Sequence, residues 1–130
     1  MRNPILAVLG LGLLANGLFM LLAPASWYPA VPGVSATGPY NPHFIRDIGA
    51  AYSVSGAGLL ALLRWPQAWP AAIAGSAFQL LHALIHVFDA LQGRVAAGHL
   101  LNDALLVVVP ALAALALSWP RKAAPAARYA

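Results

Sequence analysis

The chain has 130 residues and a mass of 13.5 kDa; 62% of its residues are hydrophobic and only 8% are charged. A soluble domain carries about 25% charged residues and disorder requires low hydrophobicity, so both classes are excluded and an integral membrane protein remains. The absence of cysteine removes disulfides, thiolate metal sites, iron–sulfur clusters and a cysteine nucleophile. In so apolar a chain the net charge of +4 reads as membrane topology, not as nucleic-acid binding.

Four apolar spans are expected, at about 5–23, 42–65, 70–92 and 98–119, each near the length of about 20 residues that a membrane helix needs. The first is interrupted only by Asn16 and a few glycines. It precedes Ala23-Pro24-Ala25, a signal-cleavage pattern, but it exceeds the usual h-region of about 7–15 residues and is read as a span. Residues 24–41 then form an extracytoplasmic loop, because Pro24, Pro29, Pro32 and Pro39, with Pro42 just beyond, exclude a continuous helix. Trp27, Tyr28 and Tyr40 in this loop suit a membrane–water interface. Asn41 and Pro42 form an N-cap and first helical position for the second span. Its middle, Gly49 to Gly58, is rich in glycine, alanine and serine, and such a face lets helices approach closely. Trp65-Pro66-Gln67-Ala68-Trp69 is a turn, Pro70 opens the third span, and Gln92-Gly93-Arg94 closes it. Pro110 falls inside the fourth span, where it kinks the helix or frees a carbonyl. The basic tail, 120–130, reads as disordered.

Orientation follows from the basic residues. With the N-terminus inside, Arg2, Arg64, Arg121, Lys122 and Arg128 lie on the cytoplasmic side and only Arg46 and Arg94 outside. The expected fold is thus an all-α, four-helix integral membrane bundle with both termini cytoplasmic.

The chain's three acids and four histidines gather on three of the spans: His43 and Asp47 on the second, His82, His86 and Asp89 on the third, His99 and Asp103 on the fourth. Spacings of three, four and seven place each set on one helix face. Asp47, His86 and Asp103 each lie roughly 6–9 Å below the outer end of their helix, and His82 roughly 15 Å below it. Seven ionisable groups in one layer, each costing about 2.5–3.5 kcal/mol to insert, require compensation. One solution is a site for one or two iron, copper or zinc ions, with all seven as ligands and Arg46, Gln79 and Asn102 around them. That points to a membrane oxidoreductase acting on a small apolar or lipid-like substrate, with the 24–41 loop as its cap. Three other solutions stay open: aspartate–histidine pairs that glue helices, haem on facing histidines, and a local proton site. Arg46 would then pair with Asp89 or Asp103, or snorkel outward. Asn16 is expected in an interhelical hydrogen bond, and Tyr52 in packing. The small size and small-residue faces also fit an accessory subunit of a larger membrane complex or a homo-oligomer.

The stretch Asn41-Pro42-His43-Phe44-Ile45-Arg46-Asp47-Ile48-Gly49-Ala50-Ala51-Tyr52, followed by a Gly/Leu-rich helix, resembles small four-helix bacterial membrane proteins of the DoxX-like kind. The resemblance implies four helices and a bacterial origin, hence an inner membrane; with the orientation above, the site is expected in the outer leaflet, facing the periplasm or exterior. It implies no catalytic residue.

Overall fold

The computed structural model describes residues 2–120, with the backbone alone for Arg2. The tail beyond Pro120, with Arg121, Lys122 and Arg128, lies outside the described residues. The fold is all-helical, and no strand occurs among the described residues. Helix α1 spans Arg2–Leu22, α2 Pro24–Ala30, α3 Pro42–Arg64, α4 Trp69–Leu91, α5 Ala97–Asp103 and α6 Val109–Ser118. Short 3₁₀ turns occupy Val34–Ala36 and Pro66–Ala68, and a π-helical stretch, Ala104–Val108, joins α5 to α6.

Three helical stretches are long and apolar enough to cross a membrane: Asn3–Leu22, Pro66–Leu91 and Ala97–Ser118. Helix α3 has the length, at 23 residues. Its many small residues, together with His43, Arg46, Asp47 and Arg64, keep it less apolar. Its place in the fold explains this tolerance: α3 lies between α1 and α4, which cover two of its sides. The start of α3 is capped as Asn41 and Pro42 lead one to expect. The Asn41 side chain accepts from the amides of His43 and Phe44, each at 3.1 Å, and Pro42 occupies the first turn, where its missing N–H costs nothing.

The main helix contacts are made backbone to backbone. Gly10 and Gly17 on α1 face Gly56 and Gly49 on α3, in antiparallel order. A Cβ on Gly56 would stand 2.5 Å from the Leu14 amide nitrogen and 2.6 Å from the Gly10 oxygen; one on Gly17 would stand 2.6 Å from the Gly49 oxygen. No side chain fits there. The α3–α4 contact repeats the device, with Gly75 against Ser55 and Gly58 against Ala71. Between α4 and α6 the hydroxyls of Ser76 and Ser118 meet at 3.1 Å.

Along α4 and beyond it, the large apolar residues are correspondingly on the outside. Leu81, Leu84, Ile85, Phe88 and Leu91 of α4 and Leu101, Leu105, Leu106, Val109 and Leu112 beyond it are all exposed, while Ala72, Gly75, Ser76, Ala83, Ala111 and Ala114 are buried. In water this arrangement would expose a large sticky surface. In lipid the outward leucines gain nothing by burial, and association favours small residues that bring backbones together.

The 24–41 segment differs from the irregular loop expected. Pro24 begins α2, where its fixed φ suits the first helical position, and Pro29 near the end of this seven-residue helix forfeits one backbone hydrogen bond. Trp27, expected among interface aromatics, packs inward. It is buried with Met20 and Ile45, and its indole Nε1 donates to Asn16 Oδ1 at 2.9 Å. Asn16 therefore ties α2 down onto α1; it does not bridge two long helices. Beyond α2 the chain is held by the Tyr28 hydroxyl, which donates to the Gly38 carbonyl at 2.6 Å, and by the edge-on contact of Tyr28 with Tyr40.

Candidate functional site

The seven candidate ligands do not converge. Among the described residues no three His or Asp side chains form a group able to hold a metal ion. They form separate pairs instead. His43 Nε2 lies 3.4 Å from Asp47 Oδ2, and both side chains are well exposed, at 88% and 61%. Asp89 Oδ1 accepts from Arg94 Nη1 at 2.9 Å, just past the end of α4. His86 Nδ1 lies 3.1 Å from Asp103 Oδ2, and this half-buried pair alone joins two helices, α4 and α5. His99 stands apart, near Gly33 of the loop, where an added Cβ would come 3.7 Å from its Nδ1.

Rotation separates the α3 pair from the rest. Tyr52 faces α4, where its ring meets Phe78 and His82 edge-on. Asp47 is five residues earlier on α3, so it points about 140° away from Tyr52 on a helix of 3.6 residues per turn. His43, one turn before Asp47, shares its direction and its exposure. Asp89 shares the face of His82 and His86 but sits at the helix end, where Arg94 meets it. Arg46 pairs with neither Asp89 nor Asp103. Its Nε donates to the Leu21 carbonyl at 3.2 Å, serving one of the free carbonyls at the end of α1. Asn102 is exposed, about 100° of rotation from Asp103.

What remains together is a single line of polar and aromatic groups along α4. Phe78 and His82 are stacked, the rings of His82 and His86 meet edge-on with centroids 4.8 Å apart, and Asp103 closes the line from α5. Further along α4, Gln79 is buried and lines a small cavity with Tyr52 and Pro110. The i,i+4 spacing of Phe78, His82 and His86 was visible in the chain; the facing of Tyr52 onto them was not. A cleft of about 520 Å³ lies at the other end of the helices, and Asn3, Leu62, Gln67, Trp69 and Pro120 line it with no histidine or acid among its described walls.

Chemically, the His86–Asp103 pair can hold one proton between an imidazole and a carboxylate, and Asp103 leaves the Nε2 edge of His86 free. No family model, curated protein or solved structure matches the chain, so the DoxX-like resemblance rests on residues 41–52 alone.

Proposed function

We propose that the chain is a four-span integral membrane protein of a bacterial inner membrane, with both termini cytoplasmic, that serves as a non-catalytic helical component of a larger membrane assembly. Helix α3 is its least apolar span and crosses in the shelter of α1 and α4. One observation carries this over the metalloenzyme expected from composition: each of the three carboxylates has taken one basic partner. Asp47 has His43, Asp89 has Arg94 and Asp103 has His86. A carboxylate so paired lowers the cost of its own insertion and stabilises the fold, and none is left as a free base or ligand. The test is extraction in mild detergent without chelator, followed by mass, composition and elemental analysis of the particle. The expected result is a stoichiometric complex with other subunits and no stoichiometric metal. A lone, monodisperse chain with bound metal would overturn this assignment.

A second function is favoured by one feature, the adjacency of two imidazoles and a carboxylate at His82, His86 and Asp103. They form no metal-holding group among the described residues; with Asp103 orienting His86, they suit a local proton site. In that case vesicles that hold the chain show a pH-dependent proton uptake that His86→Ala removes and His43→Ala does not.

A further inference from the structure

Among the described residues four polar side chains are buried: Ser55, Ser76, Ser118 and Gln79. The three serines need nothing from outside their helices, because each hydroxyl donates to the carbonyl four residues back at 2.7 Å. Gln79 has no such recourse. Its carboxamide is too long to turn back on its own helix, and its Nε2 is shut off from solvent with no hydrogen-bond partner among the described residues. The residue is only 5% exposed. A buried donor without an acceptor is costly and rare in native proteins.

An acceptor in need of a donor lies across the cavity. The Val109 amide donates to the Ala104 carbonyl, five residues back. The α-register donor to the Leu106 carbonyl would be Pro110, which has no N–H to give. The π stretch with its proline thus strands a carbonyl in the middle of an apolar span. The cavity lies against this same turn: Leu106, Val107, Pro110 and Ala111 line it from one side, Gln79, Tyr52, Leu9 and Leu13 from the others. Its volume is about 40 Å³. That admits one or two water molecules, whereas organic ligands need several hundred Å³.

We propose that this cavity is a water-binding site, in which a bound water accepts from Gln79 Nε2 and donates to the carbonyl that Pro110 leaves free. Such a water replaces the missing backbone hydrogen bond with a bridge between helices, tying α4 to the π turn. It also lies one helical turn from His82, so the polar line from Asp103 through His86 and His82 ends on water and not on lipid.

The chain has three glutamines, and Gln67 and Gln92 are exposed, which supplies an internal reference. The full chain, labelled with ¹⁵N-glutamine in nanodiscs of acyl-deuterated lipid, is examined by water-to-amide cross-relaxation. The Gln79 carboxamide should show a direct cross-peak to a long-lived water, with proton exchange at least about tenfold slower than for Gln67 and Gln92, as burial requires. Gln79→Leu identifies the signal by its loss. Pro110→Ala restores an N–H at position 110 and is a mild change in a helix, so this variant should fold and lose most of the water cross-peak. Cross-peaks from Gln79 only to protein protons would show a dry cavity and overturn the proposal. An undiminished water peak in Pro110→Ala would show that the stranded carbonyl is not the second partner, and would overturn it equally.

Discussion

The α1–α3 contact and the contact of α4 with α5 and α6 solve the same problem by opposite means. Both must hold helices together where no hydrophobic gain distinguishes protein from lipid. Between α1 and α3 the solution is proximity: glycines at 10, 17, 49 and 56 remove side chains altogether, and backbone atoms touch. Between α4 and the last helical stretch it is polarity, with Ser76 against Ser118 and His86 against Asp103. The first is rigid and intolerant of added volume. The second is adaptable, since its partners can shift, share a proton or admit water. The π stretch falls in the second contact, and the small cavity beside it is walled by Gln79 and the π turn together with Leu9, Leu13 and Tyr52 of α1 and α3. Irregular backbone survives in a membrane only where other groups can satisfy it, and only the polar contact offers such groups.

The largest effect should come from added volume in the glycine contact. Gly56→Ala places a methyl 2.5 Å from the Leu14 amide nitrogen, which is backbone and cannot rotate away. The helices must separate, at a cost of about 1–3 kcal/mol. Gly12→Ala, on α1, meets nothing within 4 Å and should change stability by less than about 0.5 kcal/mol. Unfolding in mixed micelles measures both. Equal stability of the two variants would mean that α1 and α3 do not touch through their backbones.

Next in size is the polar tie between α4 and α5. Asp103→Ala should cost about 0.6–1.7 kcal/mol, the span found for polar contacts between membrane helices. The double variant with His86→Ala should be little worse than the single one, because both changes remove the same contact. Additive costs would show that Asp103 acts through some partner other than His86.

These contrasts also mark what could be read from the chain. The capped start of α3 was legible because Asn41 and Pro42 act locally, on amides two and three residues away. The small-residue face of α3 was legible from composition. Its partner was not, because Gly10 and Gly17 are diluted among leucines and nothing in one helix states which face of another will meet it. The pairing of His86 with Asp103 was legible as depth, from their similar distances to their helix ends. Convergence needs rotation as well, and the rotation of α3 is set by its glycines, whose contact with α1 turns Asp47 away from α4. Helix α2 went unseen because proline density was weighed without position. Pro24 at a first turn and Pro29 near the end of a short helix break little.

A smaller effect than either interhelical contact is expected where a single hydrogen bond fastens the loop. Trp27→Phe keeps the aromatic bulk beside Met20 and Ile45 and deletes only the donor to Asn16. It should cost about 0.5–1.5 kcal/mol. Proteolysis or amide exchange should show the loss confined to 24–41, with α3 to α6 unchanged. A uniform loss across all helices would mean that α2 is part of the main core, not a flap fastened to its edge.

The smallest effect belongs to the exposed pair, and it tests the seven-donor metal centre expected from composition. His43 and Asp47 are neighbours on one turn of α3, with their side chains largely outside the protein. An exposed ion pair at this spacing is worth about 0.3–0.5 kcal/mol and is screened by salt. Asp47→Asn should therefore shift stability by no more than that, and the shift should vanish at high ionic strength. If Asp47 were instead a ligand in a seven-donor metal centre, the same variant would lose metal and destabilise the fold by more than any surface pair can, and added salt would not rescue it. A salt-sensitive loss of a few tenths of a kcal/mol, set beside the larger and salt-resistant loss in Asp103→Ala, places the intramembrane chemistry of this chain on α4 and α5 and leaves the start of α3 outside it.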